Sequence, residues 1–332
     1  MARVAAILNA LWRALRRDQR SIESVAGNNF FIVTALLLRE AGIFIYFIVG
    51  VVLLFPLSND PLRKIPPSRL ALWPLEKRER RLLRALSPWI NPVTWAMAAV
   101  AAWCARGKLS IGIWALFAAI AVSGFALSEF PVARGGIWHR VPHFPGPLDQ
   151  LVRKNLREIL STLDFYCALI LTLASLAWRI LGEPLPGQAF TAITILVVLA
   201  LSSYVQSLFG LDGEGGLSRY RLLPLPGWKI LAAKDAAFFL VIVPLVLPLA
   251  ILPGICAALV ALAFGHFASV KNPREQLRWR FSTGTGVMYG LLQAAAMATA
   301  AASEASLGPV LLPPCLAAWA ITLWWCGRTL SW

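Results

Sequence analysis

The chain has 332 residues, of which 58% are hydrophobic and 14% are charged, whereas a typical soluble domain has about 25% charged residues. So little charge cannot cover a protein surface in water, which excludes a cytosolic enzyme, a secreted disulfide scaffold and a disordered tail. Lys and Arg number 31 against 16 acidic residues. Because this positive charge falls in short segments between apolar runs, it indicates the positive-inside pattern of a multi-pass membrane protein and not a nucleic-acid-binding protein.

The first apolar region, residues 24–58, is interrupted only by Arg39 and Glu40. A membrane-spanning helix needs about 20 residues, so this region can form one long helix or two short ones, over about 22–38 and 41–58. Two helices would keep the flanking basic segments on one side of the membrane, as the positive-inside rule prefers. Arg39 and Glu40 would then lie at the far surface, whereas one long helix would place them inside the membrane.

Further apolar runs follow along the chain. They predict spans over 90–105, 109–128, 163–182, 188–209, 284–302 and 309–327. The run 236–270 is too long for a single span, so we expect a turn at Pro253-Gly254 between helices 237–252 and 254–269. The predicted fold class is all-α, a multi-pass protein of the bacterial plasma (inner) membrane with about ten transmembrane helices and both termini in the cytoplasm.

A short motif recurs in the sequence at an offset of 150 residues. Residues 68–75 (SRLALWPL) and 218–225 (SRYRLLPL) are identical at five of eight positions. Each copy follows an apolar hairpin and precedes a basic helical stretch. Each half also opens with a basic amphipathic segment, at 11–17 and 151–160, of the type that lies in the membrane interface. We therefore predict a parallel internal repeat.

The second half resembles the permease subunit of ABC-2-type ABC exporters. That fold has an interfacial helix, two spans, a cytoplasmic coupling helix, two spans, a short loop and two final spans, and residues 149–327 follow the same order. The segment that runs from Phe209 and Asp212 to Lys234 is also similar in sequence to the coupling region of the family. The first half is similar only in part, since it has an interfacial helix, a coupling-like stretch and four spans.

The resemblance implies a division of the chain and a docking surface. The three parts are a first membrane repeat (1–128), a cytoplasmic linker with an interfacial helix (129–162) and a six-span unit (163–332). Coupling helices at 74–86 and 224–235 would dock on a separate ATP-hydrolysing subunit. The residues expected at this contact are Arg219, Tyr220, Pro224, Leu225, Trp228, Lys229 and Lys234 in the second copy, and Pro74, Lys77, Arg78 and Arg81 in the first.

The resemblance assigns ATP and Mg²⁺ to that partner subunit. A P-loop requires GxxxxGK[ST], and the single Gly-Lys pair, Gly107-Lys108, is followed by Leu109. We therefore expect a transport subunit and not an enzyme, with no cofactor, metal or catalytic residue of its own. Its expected partners are the ABC ATPase, membrane lipids and a second permease copy, in a homodimer or a heterodimer. Acidic residues are scarce in the middle of spans, which disfavours a proton-coupled carrier and suits a hydrophobic or amphipathic substrate.

Two other functions stay open at this point. A membrane scaffold or assembly protein would use the basic loops to bind partners or anionic lipid, and a lipid-modifying enzyme would need a cluster of polar residues at one membrane face. His139 and His143 have the spacing of a helical metal pair, but Pro142 and Pro145 disfavour a helix there. His266 lies near the inner end of a predicted span and is expected to be an ordinary interfacial residue.

Overall fold

A computed structural model describes most of the second half of the chain and part of the first. The described residues are 2–17, 60–65, 69–70, 72–90, 95, 146, 148–181, 188–213, 215–273, 276 and 286–330. Within these ranges the regular elements are all helices and none is a β-strand, which confirms the all-α prediction. The predicted spans of the first half lie almost entirely outside the described residues, and so does the question of one or two helices over 24–58.

The described part of the first half consists of two α-helices and two 3₁₀ turns. They are α1 (Ala2–Arg17), the turn Pro61–Lys64, α2 (Lys77–Leu86) and the turn Ser87–Ile90. One face of α1, which carries Val4 and Leu11, packs on Leu62 and Leu83 in a small apolar core. The amphipathic segment predicted at 11–17 is thus the end of a longer helix, whose apolar face is covered by the coupling-like stretch.

The described part of the second half forms eight α-helices, six of which have 18 to 21 residues. In chain order they are α3 (Asp149–Leu160), α4 (Leu163–Leu181), α5 (Ala189–Gln206), α6 (Gly216–Arg221), α7 (Gly227–Val246), α8 (Ile251–Lys271), α9 (Val287–Leu307) and α10 (Leu312–Leu330). Helices α5 and α8 form the centre: α5 packs on α4 and α8, and α8 also packs on α9 and α10. Helix α7 packs on α3 and α10.

Three of these helices are long and apolar enough to cross a membrane, namely α4 over Leu163–Ile180, α5 and α8. This composition fits a multi-pass membrane protein. Helix α7 has a similar length but carries three charged residues, Lys229, Lys234 and Asp235. Helices α9 and α10 occupy most of the predicted spans at 284–302 and 309–327.

The apolar run over 236–270 divides into two helices, but the predicted turn at Pro253-Gly254 is wrong. Helix α7 ends at Val246 and α8 begins at Ile251, so the turn lies around Pro248. Pro253 instead occupies the first turn of α8, where its missing N–H group would have no partner within the helix in any case.

The boundary of the predicted coupling helix at 224–235 also changes. From Gly227 onward these residues are the first turns of α7, which continues without a break to Val246. A separate short helix, α6, lies before it at Gly216–Arg221. Residues 227–235 of the predicted coupling helix and the residues that follow them are therefore parts of one continuous helix.

The two copies of the repeated motif have similar backbone geometry at several of the described residues. Helices α2 and α7 begin at Lys77 and Gly227, at the same offset as the sequence motif. The N–H of Leu72 donates to the carbonyl of Arg69 and the N–H of Leu222 donates to the carbonyl of Arg219, each at 3.2 Å. Leu72 is 82% exposed and Leu222 is 85% exposed. These correspondences support the predicted repeat independently of residue identity.

Candidate functional site

The chain between α5 and α7 folds into a projection at one end of the helical bundle. A 3₁₀ turn at Gly210–Asp212 leads into it, and α6 forms its first wall. Gly213 and Gly215 have φ angles of +80° and +74°, a left-handed backbone that glycine adopts without steric cost. We call residues 216–228 the tip, because they are the part of this projection that faces outward.

The structure divides the predicted docking residues of the second copy into two groups. Arg219, Pro224 and Trp228 are exposed, and Leu225 and Lys229 are half-buried. Tyr220 is only 6% exposed and Lys234 is fully enclosed. The side chains of Tyr220 and Lys234 therefore point into the protein, where they can support the tip but do not form its outer surface.

The predicted residues of the first copy are all at the surface: Pro74, Lys77, Arg78 and Arg81. Two exposed leucines of the tip, Leu222 and Leu223, were not among the residues predicted from sequence. Only the fold shows that these apolar side chains are left uncovered.

A partly buried charge cluster lies beneath the tip, with Asp212 at its centre. The ammonium group of Lys234 donates to Asp212 Oδ2 at 3.0 Å and to Asn155 Oδ1 at 3.0 Å. Lys154 donates to Asp212 Oδ1. The hydroxyl of Tyr220 donates to Asp212 Oδ1 at 3.0 Å and accepts from Lys154 Nζ at 2.9 Å. The cluster thus joins α3, the projection and α7.

The electrostatic surroundings of Asp212 and Lys154 favour the charged forms of these two side chains. Burial by itself would raise the pKa of Asp212, but the adjacent ammonium groups of Lys234 and Lys154 outweigh it and hold that pKa below its usual value. Burial opposes the charge of Lys154, but the hydrogen bonds to Asp212 and Tyr220 raise its pKa above the usual value. Burial raises the pKa of Tyr220, so its hydroxyl stays protonated and can donate.

Aromatic rings complete the enclosure of Lys234. Its ammonium group lies 5.0 Å from the ring centre of Phe209 and 4.9 Å from that of Tyr220, distances at which a cation is attracted to an aromatic face. The ammonium group of Lys234 is therefore surrounded by one carboxylate, one amide oxygen and two aromatic rings. These neighbours restrict it to one position. The cluster therefore fixes the position of the tip relative to α7.

A second set of polar contacts anchors the start of the projection. The backbone N–H of Gln276 donates to the carbonyl of Gly210 at 3.0 Å. Its side chain donates to Asp164 Oδ2 at 3.1 Å and accepts from the hydroxyl of Ser207 at 3.0 Å. Asp164 and Gln276 are both buried. The chain after α8 is thus tied to the same projection as α3 and α7.

Helix α7 is held on its other side by a close contact with α10. A Cβ atom at Gly327 would lie 2.6 Å from both the Cα and the N of Trp228, and one at Gly227 would lie 2.5 Å from Leu330 Cβ. These separations are too short for any side chain. The base of the tip therefore packs backbone to backbone on the end of α10.

Another buried polar cluster includes Asp235, the residue of α7 that directly follows Lys234. Asp235 Oδ2 lies 3.0 Å from His266 Nε2, and the same oxygen accepts a hydrogen bond of 2.8 Å from Trp319 Nε1. The other ring nitrogen of His266 is 3.1 Å from Thr322 Oγ1. Thr322 in turn donates to the carbonyl of Trp319 at 2.9 Å. The cluster links α7, α8 and α10.

This arrangement corrects the prediction for His266, which is fully buried and not an interfacial residue. Sequence reasoning missed the cluster because Asp235 was counted with the basic coupling region. A signal was available, since Asp235 and His266 are ionisable residues within long apolar runs, and such residues need a partner when no water is present.

Among the described residues, no group of three or more His, Cys, Asp or Glu side chains is placed to hold a metal ion. Cys167, Cys256, Cys315 and Cys326 are buried free thiols. No protein-family model, curated protein or solved structure matches the chain.

Proposed function

We propose that this chain is the membrane subunit of an ATP-driven exporter of the ABC-2 type in a bacterial inner membrane. A separate ATPase subunit would supply ATP hydrolysis, and the cargo would be hydrophobic or amphipathic. The observation that carries the proposal is the exposed surface of the tip. It exposes Arg219, Leu222 and Trp228, while the cluster beneath it connects it rigidly to α3 and α7.

The order of the long helices is in keeping with this proposal. Six helices of 18 to 21 residues follow α3, and the tip comes between the second and the third. In the proposed arrangement all six cross the membrane, and the four predicted spans of the first half bring the total to about ten. Leu72 would mark a second docking position in the first copy.

The proposed mechanism is mechanical. Movement of the ATPase would push on the exposed face of the tip, and α7 would pass that displacement into the bundle because it is one continuous helix from Gly227 to Val246. The ion pair between Lys234 and Asp212, with Asn155 as the third member, would make α3 move together with α7. The contact between Gly227 and Gly327 would transmit the same movement to α10.

The first experiment is purification of the natively expressed protein in mild detergent, followed by mass spectrometry of the proteins that accompany it. We expect a stoichiometric soluble subunit with a P-loop. The substitution Leu222→Asp should lower its recovery roughly tenfold, the effect expected for one important apolar residue of an interface.

A matched control is Leu307→Asp, which places the same charge at a residue that is 65% exposed at the opposite end of the bundle. Recovery of the ATPase should be unchanged in this variant. An intact complex without any ATPase would reject the proposal and favour the scaffold or assembly protein. Equal loss in both variants would show that the tip is not the docking surface.

A lipid-modifying enzyme is the second candidate, because of the cluster formed by Thr322, His266 and Asp235. Enzymes that attack esters activate a hydroxyl nucleophile with an imidazole, which is in turn hydrogen-bonded to a carboxylate. Thr322 also lines a cavity between α8, α9 and α10. In this function the Thr322 hydroxyl would turn from the carbonyl of Trp319 to donate to His266 Nδ1. Thr322 Oγ1 would then attack the carbonyl carbon while His266 accepts its proton and returns it to the leaving alcohol.

An alkyl fluorophosphonate probe tests this second candidate, since an activated hydroxyl displaces its fluoride and becomes labelled. Labelling should disappear in Thr322→Val and persist in Thr329→Val, where the hydroxyl only donates to the carbonyl of Cys326 at 2.7 Å. If the wild-type protein takes up no label, the cluster is structural and the exporter proposal stands alone.

A further inference from the structure

A cavity of about 500 Å³ lies in the cleft between α8, α9 and α10. This volume is within the range of about 300–1,000 Å³ found for small-molecule sites. The described residues that line it are Ala263, Phe264, Phe267, Ala268, Lys271, Asn272, Tyr289 and Thr322. Most of the wall is apolar, and its polar groups are few.

Two of the four polar side chains in the described wall lie at the C-terminal end of α8. Lys271 and Asn272 are the last residue of α8 and the residue after it, and both are exposed. Within the described part of the chain, the ammonium group of Lys271 has no hydrogen bond or ion pair. The hydroxyl of Tyr289 is already used, since it donates to the carbonyl of Phe264 at 2.5 Å. Among the described residues that line the cavity, Lys271 therefore offers a positive charge that is available to a ligand.

In the proposed arrangement the cavity would lie at the edge of the bilayer. Helix α8 is one of the three membrane-capable helices and ends at Lys271. From Ala263 to Lys271 the helix rises about 12 Å, so the apolar wall extends inward from the helix end. Phe267 is 37% exposed, which leaves this wall accessible from the side. A molecule from the adjacent leaflet could insert a chain along the phenylalanines while its headgroup stays at the surface.

We infer that this cavity is a binding site for an amphiphile that has an acyl chain and an anionic headgroup. The chain lies against Phe264 and Phe267, and the headgroup pairs with Lys271. A carboxylate and a phosphate share the chemistry that the site requires. Its role as the cargo site of the exporter rests on the proposed function, whereas binding itself does not.

The test is photolabelling of the purified protein in detergent with three diazirine-bearing probes. These are a long-chain fatty acid, its methyl ester and a lysophosphatidic acid with the same chain. We expect the acid or the phosphate probe to label the segment 263–272 about fivefold more than the neutral ester, since one lysine near a membrane surface contributes about this factor. The preferred anionic probe identifies the headgroup.

The variant Lys271→Gln should remove the preference for the anionic probe and leave labelling by the ester unchanged. The matched control is Arg328→Gln, which removes a positive charge near the same end of α10, where the arginine stacks on Trp324. Labelling that is equal for all three probes, or equal in Lys271→Gln and wild type, would overturn the inference. If anionic labelling is found but no ATPase co-purifies, the site stands and the proposed function fails.

Discussion

Lys234 donates a hydrogen bond of 3.0 Å to Asp212, and the lysine side chain is completely enclosed by the protein. The two residues are 22 positions apart and belong to different elements, so their pairing holds the tip against α7. A buried charge that loses its partner is strongly unfavourable. The pair therefore makes the position of the tip depend on the packing of the bundle.

Replacement of Lys234 by Met should destabilise the protein by about 3 kcal/mol, because it leaves the Asp212 carboxylate buried with less compensation. The free energy of unfolding can be measured by denaturation with SDS in mixed micelles. The control Lys229→Met removes a half-buried lysine that stacks on Trp228 and should cost much less. The double variant Asp212→Asn with Lys234→Met should recover part of the loss, and additive losses would show that the two residues are not coupled.

The pH dependence of stability should report the depressed pKa of Asp212. In the unfolded chain an aspartate has a pKa of about 3.9, and the folded value is lower because Lys234 and Lys154 outweigh the effect of burial. The stabilisation is therefore complete above about pH 4 and is lost as the pH falls through the folded pKa. The stability difference between wild type and Asp212→Asn should change little between pH 6 and pH 4 and should shrink as the pH falls below about 4. A constant difference would mean that the carboxylate charge contributes nothing.

Substitution of Gly327 by Ala should separate α7 from α10, because the new Cβ atom would lie 2.6 Å from the backbone of Trp228. We expect a lower melting temperature and a change in the fluorescence of Trp228. Gly286→Ala is the matched control, since a Cβ there meets no atom within 4 Å and the backbone is extended, with φ of 163°. If both variants behave alike, the close contact at Gly327 is not needed for packing.

Replacement of Trp319 by Phe removes the donor to Asp235 while it keeps most of the ring. A hydrogen bond to a charged group contributes about 1.5–3 kcal/mol, so the free energy of unfolding should fall by roughly that amount. Trp325→Phe provides the comparison, because Trp325 is 57% exposed. An equal effect of both changes would mean that the indole N–H of Trp319 is not important to the cluster around His266.

Some features of the fold follow from local sequence alone. Runs of about 20 apolar residues predict membrane-capable helices because a helix satisfies its own backbone hydrogen bonds, and α4 and α5 begin within one residue of their predicted starts at 163 and 188. The motif that recurs at an offset of 150 residues could also be detected from the sequence, since this requires only a comparison of the chain with itself. The turn near Pro248 was harder to place, because the neighbouring Pro253-Gly254 gives the same local signal and proline is also compatible with the first turn of a helix.

The composition and periodicity of the chain determined its class, an all-helical membrane protein with a basic projection between two hairpins. Which charged residues of that projection face outward and which face inward depends on the packing of the helices and could not be predicted from the sequence. Lys229 and Lys234 are five residues apart on α7, and one is half-buried at the surface while the other is enclosed with Asp212. That difference depends on α3 and Tyr220, which reach Lys234 only through packing. The pairing of Asp235 with His266 arose in the same way, because partners on different helices leave no local pattern in the sequence.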